Sequence, residues 1–207
     1  DFLILPGSKQ TIKDQLFLRD SGLSKDIKNY SNNNGNIFGI CGGLQMLGTI
    51  LHDPFFKEGS KVKLEQSIEG IGLLPLKTTF LENKITRQIN SESIWPSTSE
   101  INGFEIHNGV TELDRSKGNS KIKPIFNDLD LGWYLENSQG GSTAGTYIHG
   151  IFENDEWRDH YINLIRKSKR LPKLDKKTRS YKMKRESIID SLANEFNKHF
   201  NISSLLN

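Results

Sequence analysis

The run Asn36-Ile-Phe-Gly-Ile-Cys-Gly-Gly-Leu-Gln-Met-Leu-Gly48 constrains the fold more than any other stretch of the chain. Ile37, Phe38 and Ile40 are apolar and suit a buried strand, while Leu44, Met46 and Leu47 begin a helical pattern. Between them stands Cys41, the chain's one cysteine, bracketed by Gly39 and the pair Gly42–Gly43. A strand that turns at once into a helix needs small neighbours, because the backbone bends too tightly for side-chain bulk. The turn also pushes its central side chain out of the sheet. A sulfur there meets the free N–H groups of a helix start, which favour an anion and so a thiolate. A lone cysteine is more often a small buried hydrophobe. Three glycines around it point instead to a nucleophile served by a distant histidine.

At 207 residues and 34% hydrophobic content, the chain suits one domain of ordinary size with a real core. It has no run of about 18 apolar residues, so no membrane partner is expected. One cysteine leaves no internal disulfide and no thiolate-rich zinc site, so no metal is expected, and a reducing, cytoplasmic setting fits. Charge is uneven. Residues 156–207 hold 13 Lys/Arg against 6 Asp/Glu, whereas residues 1–155 hold 15 against 19. The basic residues have little aromatic interleaving, so they read as a solvated helical surface rather than a nucleic-acid site. The chain opens without Met on the core-like Phe2-Leu-Ile-Leu5, which leads to the expectation of a further domain upstream.

Along the chain, Phe2–Leu5 reads as a short buried strand ended by Pro6-Gly7. Residues 11–20 read as a helix, with Thr11 and Asp14 as an imperfect capping box. Ser31–Gly35 reads as a loop before the cysteine strand. This β–α–β–α order predicts a mostly parallel sheet flanked by helices. Residues 70–80 and 101–106 are strand-like, and 114–123 and 136–143 are polar loops. The stretch 84–100 has no clear period and reads as an excursion. Gly145–His149 is another strand-like run, Asn154 caps a helix over about 155–168, and a last amphipathic helix fills about 183–200. The core therefore covers about 2–170, with a helical extension over about 171–207.

A cysteine nucleophile needs a base and a pocket for the oxyanion. His149 is the best base, at the end of a strand where α/β folds place reactive groups, with the uncrowded Gly150 after it. His107 is a rival that could bind substrate or organise a loop. His52 follows the elbow too closely, and His160 and His199 lie on polar helix patterns. The turn Leu5-Pro-Gly-Ser-Lys9 offers bare backbone, so the N–H groups of Gly7 and of the residue after Cys41 could converge on one oxygen. It is not a phosphate loop, since the spacing of that motif is absent.

Taken together these segments resemble the class I (triad) glutamine amidotransferases. Gly39-Ile-Cys41-Gly-Gly43-Leu-Gln45 is similar to their nucleophile elbow. More narrowly, the chain resembles the glutaminase domain of the cobyric acid synthase family, through Leu3–Lys9, Gly39–Gly48 with Asp53-Pro54, Gly70–Pro75, Gly103–Gly109 and Gly145–Phe152. The resemblance implies a flavodoxin-like fold and glutamine as substrate. Cys41 would attack the carboxamide, His149 would move the protons, Gly7 and Gly42 would hold the oxyanion, and Gln45 would help hold glutamine. The ammonia would pass to an upstream synthetase domain that uses ATP and Mg²⁺ and binds a corrinoid, with no cofactor in this domain. Many triad enzymes have Glu two residues after the histidine; here Ile151 stands there, as in the narrower branch. The group that orients His149 is then open, with Glu105 and Glu153 as candidates. Sister amidotransferases that act on cobyrinic acid or on lipid II, and a non-catalytic scaffold of the same fold, are the rival readings.

Overall fold

The computed structural model describes residues 1–57, 66–118, 121–137, 140–174 and 180–200. Strand β1 (Leu3–Leu5) leads into helices α1 (Thr11–Asp20) and α2 (Leu23–Asn32). Then come β2 (Ile37–Ile40), the short α3 (Gly42–Leu47), β3 (Ile50–His52) and β4 (Ser67–Glu69). Two long strands follow, β5 (Leu76–Ser93) and β6 (Ser99–Leu113), and then β7 (Lys123–Pro124), β8 (Gly132–Glu136), β9 (Ser142–Thr146) and β10 (Ile148–His149). Helices α4 (Asp155–Ser168) and α5 (Tyr181–His199) complete the chain.

The strands form two five-stranded sheets, ordered β1-β2-β9-β8-β7 and β10-β6-β5-β3-β4. In the first, β1, β2 and β9 run parallel, and β8 and β7 extend the sheet antiparallel. The expected parallel core is therefore the trio that carries the cysteine. The second sheet is antiparallel except where β3 meets β5.

Alternation along β2 sends neighbouring side chains to opposite faces. Ile37 joins a core built with α1, α2 and α3, whereas Phe38 joins a second core built with α4. On α4 the residues Trp157, Tyr161 and Ile165 recur at helical spacing and are buried. The Trp157 and Tyr161 rings stack at 5.2 Å, and Phe38 packs edge-on against both. Burying a side chain of this size contributes about 3 kcal/mol.

Several local expectations change. Thr11 does not cap α1; the N-cap is Gln10, and Thr11 is buried inside the first turn. Instead the Ser8 hydroxyl bonds Asp14 and accepts the N–H of Gln10 at 2.9 Å, which pins the β1–α1 turn. Ser31 and Asn32 belong to α2, a helix whose polar sequence buries only Ile27 and Ser31. Residues 84–100 are not an excursion but the far arms and tip of the β5–β6 hairpin. The Asn154 side chain forms no cap bond for α4. It clasps the backbone of Asn102, accepting from its N–H at 2.9 Å and donating to its carbonyl at 3.0 Å, and so ties α4 to β6. His160, on the polar pattern of α4, is half-buried. Of the C-terminal extension, residues 175–179 and 201–207 lie outside the described residues. The described part of α5 buries no residue, so its basic surface is solvated as expected.

Candidate active site

Cys41 sits between β2 and α3 with φ 52° and ψ −110°, the left-handed side of φ where a residue with a Cβ is strained. Its N–H bonds the Thr146 carbonyl at 2.8 Å and its carbonyl accepts from Gln45 at 3.1 Å, so the elbow is held from both sides. The bend brings α3 hard against the end of β1. A Cβ on Gly43 would lie 2.0 Å from the Leu5 carbonyl oxygen, so only glycine fits. Gly42 packs beside the β1–α1 turn, where a Cβ would stand 2.8 Å from the Ser8 nitrogen.

The same packing brings the three expected groups together. A Cβ on Gly7 would lie 3.5 Å from His149 Cε1 and 3.6 Å from Cys41 Cβ. Gly7 therefore stands beside both the cysteine and the imidazole. The Cys41 thiol donates to the Ile106 carbonyl at 3.4 Å. His149 Nε2 meets the same oxygen at 3.3 Å. A carbonyl only accepts, so this contact forms in the tautomer with its proton on Nε2, and the tautomer with Nε2 bare is the one able to receive a proton there. The thiol partner is likewise one that suits S–H, and α3, at six residues, is a short source of helix dipole.

Gln45 is buried, and its carboxamide is spent on the protein. Its Oε1 accepts from Thr11 at 3.4 Å, and its Nε2 donates to the Asn108 carbonyl at 3.0 Å and to the Tyr147 hydroxyl at 3.2 Å. Its place is to fix β6 against α3 beneath the sulfur. Tyr147 continues the network to Thr111, and Thr111 meets Thr78 at 2.6 Å. Burial, only partly offset by these bonds, pushes the Tyr147 hydroxyl up to about 12.

Glu105 and His107 are not turned to His149. Glu105 is buried and its carboxylate accepts from Arg87 and from His107 Nε2, the latter at 2.7 Å. That bond leaves His107 Nδ1 as an acceptor, buried and without a partner among the described residues. The His107 ring stacks on Tyr147 with centroids 3.6 Å apart. Glu153 lies beside Gly150, the residue after His149: a Cβ on Gly150 would be 3.7 Å from its carboxyl carbon. The one described hydrogen bond of the His149 ring is to the Ile106 carbonyl, a backbone group that residue types do not reveal. Among the remaining histidines, His52 pairs with Ser67, and His199 lies on α5 beside Glu195.

A cavity of about 580 Å³ opens over this site, lined by Gly7, Cys41, Gln45, Ile106 and His149, with Lys9 and Lys84 at its edge. Its volume falls in the range of small-molecule sites. A larger cavity of about 1050 Å³ lies across the His107–Tyr147 wall. Among the described residues no cluster of ligating side chains could hold a metal ion. None of the helices described is long and apolar enough to cross a membrane.

The family model for a CobB/CobQ-like glutamine amidotransferase domain matches residues 1–157. Proteins named cobyric acid synthase are similar over the whole chain. That of Prochlorococcus marinus subsp. pastoris (strain CCMP1986 / NIES-2087 / MED4) is 82% identical over 207 residues. That of P. marinus strain MIT 9515 is 76% identical over 208 residues, and that of strain NATL2A is 48% identical over 206. In each case the match spans 100% of this chain and 41% of the relative, so the chain spans about two fifths of these proteins' length. A solved structure described as "Crystal structure of glutamine amidotransferase" shares the fold, with a TM-score of 0.53 at 13% identity over 80% of this chain and 78% of that one. The chain belongs to the CobB/CobQ-like glutamine amidotransferase domain family.

Proposed function

We propose that this chain hydrolyses glutamine and supplies the ammonia for a cobyric acid synthase. The observation that carries the reading is the convergence of Cys41 and His149 on one carbonyl oxygen, with Gly7 beside both. Glutamine entering the cavity places its carboxamide carbon at the sulfur. His149 takes the thiol proton as the S–C bond forms, and the carbonyl oxygen becomes an oxyanion. N–H groups of Gly7 and Gly42 face that oxygen; the first N–H groups of α3 have no acceptor within the helix. One such donor is worth about 3 kcal/mol in the transition state. The C–N bond then breaks as His149 returns its proton to nitrogen, which leaves ammonia and a γ-glutamyl thioester. Water, deprotonated by the same imidazole, releases glutamate and restores the thiol. Gln45 acts from below, by fixing Asn108 and Tyr147.

The rest of the longer protein would hold ATP and Mg²⁺, activate the peripheral carboxylates of adenosylcobyrinic acid a,c-diamide and receive the ammonia. The free thiol this chemistry requires suits a reducing, cytoplasmic setting. The names of the relatives support formation of cobyric acid over the sister reactions. The test is labelling with 6-diazo-5-oxo-norleucine, a glutamine analogue that alkylates the nucleophile. Mass spectrometry should find one adduct, on Cys41, absent in Cys41→Ala. An unlabelled full-length protein would favour a non-catalytic scaffold.

A further inference from the structure

The catalytic cavity has a charge imbalance that the chemistry at Cys41 does not use. Two cations line it, Lys9 from the β1–α1 turn and Lys84 from β5, and no carboxylate does. Neither lysine forms an ion pair among the described residues, where Lys57 and Lys77 both do. Both are exposed, and both line the cavity that holds Cys41 and His149. The ladder between β5 and β6 is regular from Leu76 to Thr79, breaks, and resumes at Lys84 opposite Asn108. Irregularities of this kind re-aim a side chain, and they recur beside active sites. The first side chain after the break is Lys84, and it is set across from Asn108, whose carbonyl Gln45 holds above the elbow. Lys9 comes from the turn that Ser8 and Asp14 pin in place. Two elements remote in sequence thus bring positive charge to one rim.

We propose that Lys84, with Lys9 beside it, binds the α-carboxylate of glutamine and sets the selectivity of the site for an α-amino acid amide over a simple amide. This rests on the glutaminase reading above. Glutamine carries one fixed anion, its carboxylate carbon four bonds from the carbon that the sulfur attacks, and the cavity offers one anion-seeking edge. A lysine there is a point charge that tolerates some variation in carboxylate position. It binds ground state and transition state alike, because the carboxylate does not change in the reaction.

The experiment uses full-length protein carrying Cys41→Ala, so that binding is read without turnover. Calorimetry compares glutamine with 4-aminobutanamide, which has the same carboxamide and amine but no carboxylate. Lys84→Met should weaken glutamine binding about tenfold, as expected for a lost charged contact, and leave 4-aminobutanamide unchanged. Lys9→Met should act in the same direction with a smaller loss, and Lys84→Arg should restore most of the affinity. In protein with Cys41 intact, Lys84→Met should raise KM and leave kcat within about twofold. If glutamine binds but both lysine variants keep its affinity and its preference over 4-aminobutanamide, this assignment falls and the glutaminase reading stands. If glutamine does not bind at all, both fall together.

Discussion

Two cavities share His107 as a lining residue, with Tyr147 stacked behind it on the larger side, and the smaller one holds the Cys41–His149 pair of the proposed chemistry. The larger has nearly twice the volume and a richer set of charges, with Lys77, Arg87 and Arg115 facing Glu105, Asp114 and Asp130. Its walls come from the antiparallel hairpin and its neighbours, where the end of β6 gives way to a single 3-10 turn, Arg115–Lys117, and not to an α-helix. The smaller lies where β1 and β2 end side by side and each gives way to a turn and a helix. There the backbone presents bare N–H groups, and a strained residue projects into the open. Reactivity follows from the topology of parallel strand ends, and volume does not predict it.

That contrast can be tested from its strongest consequence downward. His149→Ala should lower glutamine hydrolysis by about 10³-fold without changing the circular dichroism spectrum, as loss of a general base does. Arg115→Ala, across the wall, should leave the rate within about twofold. Equal losses in the two variants would erase the distinction between the cavities. Gly43→Ala comes next, since its methyl group would collide with the Leu5 carbonyl behind the elbow. It should cost about 4 kcal/mol in urea unfolding, because backbone rather than a flexible side chain blocks it. A variant of near-normal stability would mean that β1 and α3 are not locked together.

The wall itself gives the smallest effect. Tyr147→Phe removes a hydroxyl bonded to both Gln45 and Thr111 and should cost about 1 kcal/mol. Tyr161→Phe, whose hydroxyl is buried without a partner among the described residues, should be neutral or slightly stabilising. The two also differ from a surface tyrosine in alkali. The folded Tyr147 hydroxyl loses its proton only near 12, whereas an unfolded tyrosine does so near 10. The unfolded chain therefore binds fewer protons between those values, and stability falls as pH rises through that window. Unfolding followed from pH 9 to 12 should show a shallower decline in Tyr147→Phe than in the parent. Identical slopes would remove Tyr147 from the buried network.

Legibility in the sequence tracks how local each signal is. Cys41 and its glycines announce the elbow because one tight bend needs them all within five residues. Helices α1 and α4 show through their apolar spacing. Helix α2 does not, since Leu23 and Tyr30 are only partly covered and Ser31 is one of its two buried residues. The hairpin arm at 81–93 is mostly solvated, so it lacks the two-residue alternation that a buried face imposes. Its loss from the reading also hid Lys84 and made Glu105 seem free to serve His149. Asn154 was legible as a helix start but not as the clasp on Asn102, a contact across 52 positions. The groups that meet at Cys41 from β6 are largely main chain, and no residue type announces them.

The Ile106 carbonyl is such a group, and it gives the idle enzyme a latch. Sulfur and ring nitrogen both lean on an oxygen that has no hydrogen to give, so neither exchanges a proton with it while nothing is bound. An incoming amide has only to draw the pair off that shared support for them to face one another. Since the latch is made of peptide backbone, replacing the side chain at position 106 would leave it in place. Only a change in the path of the strand could release it.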